Sequence, residues 1–500
     1  MKSPIETRIA YWCGWACLFA LITFATNLLD SEQLDPSHHR FILILGLLGI
    51  WRYSNASIHF LRGVYFLHWR FPHIRKKINK LGDDAYPDHV FMVITSFRIP
   101  SSTTYQVYRA LFQEMRRMPV SSTIIASIVE KGDENFIKQI MRETIYNRPD
   151  IKLILVRARG TGKRDGLAHA FRALSRQMPS DNTITGVVDG DTIMMPHCIE
   201  RAIKVFSIMP TVGGLTTNEY CAVDGGRIMR DWHAMRFVQR QINMCSMALS
   251  KRVLTMTGRL SFFRTSALID PLFIRDVEAD FLQHWRLGRF RFLTGDDKSS
   301  WFSLMRAGWE TFYVPDSHIV TVEHPPDKNF FRASRKLMFR WSGNSLRQNF
   351  RATHLLGLHR LGFFAMYVLY DQRVAMWTCL VGITSSLIAS ILFGMQFLAI
   401  YAFWILLSRT LVTILYSFTN HKVTYCFPFV LYYNQIMGSL MKVYTMFHLD
   451  QQMWTRQKTK IIGEQAKIDL HINTLSSKIT MISALCIFMA IIILILPNRP

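Results

Sequence analysis

The stretch Ile184-Thr185-Gly186-Val187-Val188-Asp189-Gly190-Asp191 decides the fold of this chain. The short run of apolar and small residues predicts a buried strand, and the Asp-Gly-Asp that follows predicts a turn at its carboxyl end. Two carboxylates one residue apart on such a turn suit a hard divalent cation held against a diphosphate. We therefore predict a metal site for Mg²⁺ or Mn²⁺ at Asp189 and Asp191.

Strand and helix patterns alternate on both sides of this stretch. Val90 to Thr95, Ser122 to Val129 and Ile151 to Val156 are further short apolar runs. Helical patterns such as Tyr105 to Arg117 and Asp165 to Gln177 separate them. This alternation predicts an α/β domain with its ligand site at the carboxyl ends of the strands.

The composition indicates a membrane location and anionic partners. Of the 500 residues 50% are hydrophobic, the mean hydropathy is +0.13, and the formal net charge is +24. Such a charge favours phosphates, acidic polysaccharide, nucleic acid or lipid headgroups. No recognised nucleic-acid module accompanies it, so we expect no nucleic-acid partner. The 8 cysteines form no paired metal-type clusters and are expected to be reduced packing residues.

Apolar segments of near-spanning length lie towards both ends of the chain. They are Ile9 to Leu29, Phe41 to about Trp69, Val374 to Gly394, Gln396 to Phe418 and Ile479 to Leu496. The basic cluster Arg70 to Lys77 follows the second segment, so the positive-inside rule places the α/β block in the cytoplasm. Tyr425 to Phe447 is polar in places, and we expect an interfacial or re-entrant helix there rather than a spanning one.

Two groups of residues fit the transfer of a sugar from a nucleotide diphosphate. Lys163 and Arg164 follow a strand and open a helix, so their charges and the helix amides are expected to meet phosphate. Asp296 and Asp297 form a second acidic pair. A like-charged neighbour raises the pKa of a carboxylate, and such a group suits a general base for an acceptor hydroxyl.

A third group lies in a basic, aromatic stretch that begins near Phe330. Its pattern predicts helices on the membrane surface whose cations point to headgroups or phosphate. Within it, Trp341 offers a flat face for a sugar ring, and Arg340 is suited to bridge phosphate oxygens.

In this order, the motifs resemble those of the processive, membrane-embedded glycosyltransferases of family 2, which are inverting enzymes such as cellulose, hyaluronan and chitin synthases. The resemblance implies a GT-A type mixed sheet in which an acidic residue contacts the nucleobase of the donor and a D-x-D motif holds the metal. It also implies a general base in the G-D-D motif and a Q-x-x-R-W motif that binds diphosphate and acceptor. By position, these roles fall on Glu130 or Asp133, on Asp189 and Asp191, on Asp297 with Asp296 beside it, and on Arg340 and Trp341.

Two departures from the family pattern concern the binding of the diphosphate. Leu337 stands where the family has glutamine, with Arg335 or Lys336 as candidate substitutes. Trp454-Thr455-Arg456 resembles the W-G-T-R gating segment of hyaluronan synthases without its glycine. The resemblance implies that this segment closes over the donor with Arg456 on the diphosphate; an interfacial anchor is the alternative.

Longer strings resemble the branch of this family that makes alginate. They are 158–167, 214–219, 243–259, 282–289, 294–304 and 371–373. This resemblance implies transfer of β-1,4-linked mannuronate from GDP-mannuronate onto polymannuronate at the bacterial inner membrane. It also implies a separate copolymerase subunit that senses cyclic di-GMP, and a periplasmic modification and export complex.

We expect four regions in the chain. Two transmembrane helices occupy 1–72, a cytoplasmic nucleotide-sugar transferase domain 73–329, basic amphipathic interface helices 330–372, and a transmembrane bundle 373–500 with a candidate gating loop at 448–470. The alternatives are a non-processive transferase acting on a lipid phosphate carrier, and a transporter or receptor that only binds nucleotide. Arg340, Trp341 and the bundle favour the processive enzyme.

Two arginines lie within the expected spanning segments, where an unpaired charge costs several kcal/mol. These are Arg52 and Arg409. We predict that at least one faces the path of the anionic polymer. Snorkelling, or pairing with a carboxylate of the bundle, is the alternative.

Overall fold

The computed structural model describes residues 4–27, 40–96, 99–158, 162–292, 295–419, 421–452 and 467–495. An eight-stranded mixed sheet occupies the middle of the chain, and long helices precede and follow it. The predicted α/β fold, a GT-A-like mixed sheet between apolar helices, is confirmed.

Ten strands form the sheet and one separate hairpin. In chain order they are β1 (His89–Thr95), β2 (Ser122–Ile128), β3 (Ile151–Arg157), β4 (Thr183–Asp189), β5 (Thr192–Met194), β6 (Val212–Val223), β7 (Leu260–Arg264), β8 (Phe281–His284), β9 (Gly288–Arg291) and β10 (Glu310–Glu323). The order across the sheet is β3-β2-β1-β4-β7-β6-β10-β5, and β8 pairs with β9. The four strands predicted from sequence are present, with ends within one residue of those expected.

The register of the parallel strands positions the site. β1 pairs in parallel with β2 and with β4, and Thr95 at the end of β1 lies opposite Ser127 on one side and Asp189 on the other. These strands consist largely of β-branched and apolar residues, and their inner positions are buried on both faces. Packing therefore fixes their carboxyl ends at a common edge of the sheet, as predicted.

Seventeen α-helices are present in the described ranges. The first eight are α1 (Pro4–Thr26), α2 (Arg40–Tyr65), α3 (Phe71–Leu81), α4 (Ser101–Arg117), α5 (Lys131–Thr144), α6 (Lys163–Ser175), α7 (Cys198–Ile203) and α8 (Arg227–Ala248). The others are α9 (Thr265–Leu268), α10 (Pro271–Glu278), α11 (Asp296–Ala307), α12 (Phe330–Leu355), α13 (Gly357–Leu361), α14 (Phe363–Phe393), α15 (Gln396–Leu415), α16 (Phe427–Phe447) and α17 (Lys467–Ile495).

Four of the described helices are long and apolar enough to cross a membrane. They lie at Ile9–Thr26, Phe363–Phe393, Gln396–Phe418 and His471–Leu494. α2, which was predicted to span, and α16 are not among them. The carboxyl-terminal half of α2 packs on α8, where Arg62 donates to the carbonyl of Ser246 at 3.0 Å and to Ser250 Oγ at 2.7 Å, and a span at α2 stays a prediction.

The start of α14 differs from the expected boundary at 373. The helix begins at Phe363 and runs without a break through Asp371 and Arg373. Asp371 accepts hydrogen bonds from Arg52 at 2.5 Å and from Asn55 at 2.9 Å. A charge that is paired within the helix bundle does not end the helix, and the division of the chain at 373 stays a prediction.

Both arginines of the apolar segments have partners. Arg52 pairs with Asp371, which is the alternative of a bundle carboxylate. Arg409 donates to Gln435 on α16. A direct role for either arginine along a polymer path stays a prediction.

The cations of α12 also differ from expectation, because two of them point into the protein. Arg347 and Arg351 are buried, at 2% and 3% exposed. Arg347 donates to the carbonyl of Leu449 at 2.9 Å, and Arg351 forms an ion pair with Asp280. The prediction that the cations of this stretch point to headgroups is therefore wrong for this pair, and α12 is anchored to the transferase domain.

Candidate active site

A cavity of about 850 Å³ opens where β1, β2 and β4 end. Its wall contains most of the predicted site residues, although they are far apart in the chain: Lys163, Asp189, Asp191, Asp296, Asp297, Arg340 and Trp341. The structure thus brings the D-x-D, the G-D-D and the R-W pair into one cavity.

The Asp-Gly-Asp turn is held against the end of β1. The N–H of Gly190 donates to the carbonyl of Thr95 at 3.0 Å, and the carbonyl of Asp191 accepts from Val322 at 3.1 Å. A Cβ at position 190 would lie 2.7 Å from the Thr95 carbonyl oxygen and 2.6 Å from Ile99. Glycine is required here because the backbone of β1 leaves no room for a side chain.

Lys163 joins the two acidic motifs. Its Nζ lies 2.7 Å from Asp189 Oδ1 and 2.7 Å from Asp296 Oδ2. Gly258 allows this approach, because a Cβ there would lie 2.7 Å from Lys163 Nζ. The ammonium was expected on phosphate, and in this structure it balances two carboxylates.

The two aspartates that contact Lys163 differ in the direction of their pKa shifts. Burial, together with the neighbouring charges of Asp191 and Asp296, raises the pKa of Asp189 against the opposing effect of Lys163. The prediction of a raised pKa is wrong for Asp296. Burial disfavours the charge of this carboxylate, but the ion pair with Lys163 outweighs burial and lowers its pKa. Asp189 thus lies among other carboxylates whose charges raise its pKa, and an added cation beside it would oppose that effect.

The donor set at the D-x-D turn fits a divalent cation that phosphate helps to bind. Carboxylate oxygens are the ligands that Mg²⁺ and Mn²⁺ prefer. Within the described residues no three metal-ligating side chains converge on one point. Asp189 and Asp191 would therefore supply part of the coordination, and diphosphate oxygens would supply the rest, as is usual for Mg²⁺ bound with a nucleotide.

The two aspartates of the G-D-D motif have different partners. Gly295 precedes the first turn of α11 with a φ angle of 88°, in the left-handed backbone region that glycine adopts readily. Asp296 forms an ion pair with Lys163. Asp297 Oδ2 instead accepts a hydrogen bond from Thr255 Oγ1 at 3.1 Å and lies 3.7 Å from Lys298 Nζ. Asp297 therefore lines the cavity without the strong ion pair that Asp296 forms.

At the other side of the site, Trp341 has neighbours that its motif did not predict. The guanidinium of Arg236 lies 3.6 Å from the centre of the Trp341 ring. Trp232 stacks on Trp341 at 5.8 Å with an interplanar angle of 29°. The indole face expected to carry a sugar is thus partly covered by a cation from α8.

The position of the missing family glutamine is filled by packing. Leu337 is 3% exposed, lines the cavity, and belongs to a hydrophobic cluster with Trp232 and Met338. The suggested substitutes do not reach the cavity wall: Arg335 is exposed, and Lys336 pairs with Asp327 at 3.1 Å.

Some predicted site residues lie outside the cavity wall. Arg164 is buried and donates to the carbonyl of Val277 at 2.9 Å and to Ser299 Oγ at 3.0 Å, so it holds α10 and α11 instead of lining the wall. Glu130 is exposed and Asp133 half-buried at the start of α5, next to the wall residue Val129. Trp454 and Arg456 lie outside the described residues.

Sequence reasoning missed one complete face of the cavity. His233, Arg236, Phe237 and Arg240 line it from α8. Their spacing is helical, but nothing in the local sequence indicates which helix covers the site.

An ion network fixes this side of the cavity. Glu219 on β6 pairs with Arg240 at 2.9 Å and with Arg259 at 2.8 Å. Arg259 also pairs with Glu323 on β10 at 2.5 Å. Glu219 and Arg259 fall in strings that carried the resemblance, which was the available signal for them.

Comparison with known proteins supports this picture. Residues 87–344 match the family described as Glycosyltransferase like family 2. The chain is 51% identical over 481 residues to "Glycosyltransferase alg8" of Pseudomonas syringae pv. tomato, covering 96% of this chain and 97% of that protein. It is 48% identical over 483 residues to "Glycosyltransferase alg8" of Azotobacter vinelandii, with the same shares of 96% and 97%.

Solved structures are more distant. The mannosyltransferase PcManGT from Pyrobaculum calidifontis, in complex with GDP-Man and Mn²⁺, is 16% identical with a TM-score of 0.45. The match covers 80% of this chain and 98% of that one.

Proposed function

The chain is a glycosyltransferase of the family described as Glycosyltransferase like family 2, and from that premise and its similarity to the two alg8 proteins we propose that it makes the precursor of alginate. In this proposal it polymerises mannuronate from GDP-mannuronate into β-1,4-polymannuronate, processively and with inversion. The observation that carries the proposal is the single cavity lined by Asp189, Asp191 and Asp297.

Asp297 is the proposed catalytic base. The acceptor hydroxyl oxygen forms the new bond to the anomeric carbon, its proton passes to Asp297, and the bond to the diphosphate breaks with its electrons on GDP. Thr255, which donates to Asp297 Oδ2 at 3.1 Å, leaves the other carboxylate oxygen available for that proton. Asp296 acts beside it by holding Lys163.

The diphosphate is assigned to the D-x-D end of the cavity. When bound to Asp189 and Asp191, Mg²⁺ or Mn²⁺ supplies charge neutralisation for the leaving diphosphate. Lys163, whose ammonium contacts Asp189 at 2.7 Å, would supply a positive charge beside that diphosphate. Arg340 and Trp341 are the proposed diphosphate and acceptor contacts, and Glu130 or Asp133 the contact to guanine.

The helices support a role at a membrane. Four described helices are long and apolar enough to cross one. We place the protein in the bacterial inner membrane as a multi-pass protein with a cytoplasmic transferase domain, in contact with inner membrane lipid.

Its proposed partners are a copolymerase subunit that binds cyclic di-GMP and a periplasmic modification and export complex. Trp454 and Arg456, in the segment 448–470, are proposed to close over the donor.

The test uses membranes that contain the full chain. They are incubated with divalent metal and labelled sugar nucleotides, including GDP-mannuronate, GDP-mannose and a UDP-uronate. We expect polymer from GDP-mannuronate only, and its loss in Asp297→Asn at equal abundance. Asp181→Asn, which changes an exposed aspartate, is the matched control.

Two results would count against the proposal. Polymer formed equally well from another nucleotide would refute the donor. Label recovered in a lipid extract, without polymer, would favour the non-processive transferase that acts on a lipid phosphate carrier.

A further inference from the structure

Arg236 occupies a position in the cavity that no motif marks. It lies on the face of α8 that lines the cavity, and its guanidinium carbon lies 3.6 Å from the centre of the Trp341 ring and 5.0 Å from that of Trp232. Stacking of this kind fixes the plane of a guanidinium and leaves its N–H edge available for an anion.

The neighbouring arginines of the wall are paired, and Arg236 is not. Arg240 and Arg259 both form ion pairs with Glu219, and Arg259 forms a second ion pair with Glu323. Within the part of the chain that the structure describes, Arg236 forms neither a hydrogen bond nor an ion pair.

The surroundings of Arg236 make its charge costly. Burial and the nearby charge of Arg259 lower the pKa of Arg236 to about 9, and Glu323 only partly opposes them. The group remains protonated at neutral pH, and Glu323, the acid that acts most strongly on it, is already bound to Arg259. An anionic ligand that reaches it would form charge-assisted, two-pronged hydrogen bonds.

Two anions of the reaction are candidate ligands of Arg236. The charges that act most strongly on Asp189 are those of Lys163, Asp191 and Asp296, at the diphosphate end. None of these three groups is among the principal charges that act on Arg236, which include Arg259, Glu323 and Arg340. Because Arg340 is itself a proposed diphosphate contact, the experiment has to separate the diphosphate from a sugar carboxylate. Its contact with the Trp341 ring places Arg236 beside the side chain that is expected to carry a sugar ring.

We propose that Arg236 binds the carboxylate of a uronate residue of the acceptor chain, and that it thereby selects an acidic polymer over a neutral one. This inference rests on the proposed function, since it assigns one residue to the recognition of that acceptor. Trp341 would hold Arg236 in place as well as contacting the sugar.

The test compares acceptors at fixed GDP-mannuronate. Membranes with the full chain receive either an oligomannuronate or the same oligomer with its carboxylates reduced to alcohols. We expect the wild type to elongate the acidic oligomer at least tenfold better. In Arg236→Gln that preference should fall about tenfold to a hundredfold through the KM of the acidic acceptor, with the KM for GDP-mannuronate unchanged.

Two further variants make the result decisive. Arg236→Lys keeps a positive charge and should retain part of the preference, which a purely structural role would not restore. Arg230→Gln changes an exposed arginine of the same helix and should leave both acceptors unaffected. A raised KM for GDP-mannuronate in Arg236→Gln, with acceptor preference intact, would assign Arg236 to the diphosphate and overturn the inference.

The proposed function can fail separately. A wild-type enzyme that makes no product from GDP-mannuronate would refute the donor. A wild type that uses GDP-mannuronate but elongates both oligomers equally would refute only the role of Arg236.

Discussion

The ammonium of Lys163 lies 2.7 Å from Asp189 Oδ1, so the first residue of α6 and the last residue of β4 form an ion pair in the cavity. The same ammonium lies 2.7 Å from Asp296 at the start of α11. One cation therefore connects the predicted metal site to the G-D-D motif.

Replacing Lys163 by glutamine should disable the site and destabilise the domain. Both carboxylates lose their cation while they remain largely buried, which we expect to cost about 3 kcal/mol of unfolding free energy. Polymer synthesis should fall at least a hundredfold. The control is Lys138→Gln, which removes an exposed pair with Glu134 and should leave stability and activity unchanged. Wild-type activity in Lys163→Gln would contradict the role of this cation.

Gly190→Ala should displace the D-x-D turn. The added Cβ would meet the Thr95 carbonyl oxygen at 2.7 Å and Ile99 at 2.6 Å, so the turn must move at a cost of about 1–3 kcal/mol. We expect most of the polymer yield to be lost while the protein still inserts and folds. Gly132→Ala is the matched change, because a Cβ there meets nothing within 4 Å and it lies in a helix. If both variants keep full yield, the close packing of the turn is irrelevant to activity.

Asp191→Asn should weaken the binding of a divalent cation. The change removes one of the two carboxylates assigned to the ion and lowers the negative charge beside Asp189. Mn²⁺ titrated into the purified chain with GDP, and followed by electron paramagnetic resonance, should bind at least tenfold more weakly. Chelation with EDTA should abolish polymer synthesis in the wild type. Unaltered Mn²⁺ affinity in this variant, with Asp181→Asn as control, would remove Asp191 from the metal site.

The pair of Arg52 and Asp371 should behave as a coupled unit. It joins α2 to α14 at 2.5 Å, and each side chain is mostly buried. Arg52→Gln and Asp371→Asn should each lower the thermal stability in detergent, because each leaves an uncompensated charge. The double variant should recover part of the loss, with a coupling energy of about 1–3 kcal/mol. Additive losses would show that the two charges do not depend on each other.

His284 should make stability dependent on pH. Its Nδ1 accepts from the backbone N–H groups of Arg286 and Leu287, both at 3.2 Å, in the β8–β9 hairpin. Burial, with the charges of Arg286 and His354, lowers the pKa of His284 from 6.5 to about 4. Between these values the unfolded chain binds more protons than the folded one, so stability falls as the pH drops.

The expected loss from His284 is up to roughly 3 kcal/mol between pH 6.5 and pH 4. Unfolding followed across this range should show it. His284→Asn keeps an acceptor for the backbone but does not titrate, so it should flatten the profile. A profile as steep as that of the wild type would assign the pH dependence to other groups.

The local sequence was sufficient for the strands and the acidic motifs. β1 to β4 were predicted because runs of β-branched and apolar residues between turn residues have few alternatives. Asp189 and Asp191 were identified because a buried strand must deliver them to the edge of the sheet. The apolar helices were identified by length, and α14 extends beyond its apolar segment through Asp371, which is paired with Arg52.

Other features depended on long-range packing. Lys163 and Arg164 are adjacent, and the sequence assigned both to phosphate, yet one enters the cavity and the other is buried against α10 and α11. The rotation of α6 on its neighbours decides between them. Likewise, nothing in the sequence of α8 indicates that Arg236 lies over Trp341.

The sequence by itself determined the elements and the chemistry available, because hydrophobic pattern and turn residues act over a few neighbouring positions. Only the tertiary structure decided which charges meet. Asp189, Asp296 and Lys163 converge because the parallel register of β1 with β4 and the packing of α6 and α11 place their ends at one edge of the sheet. The energy of a buried charge depends on such neighbours in space, which the order of residues does not specify.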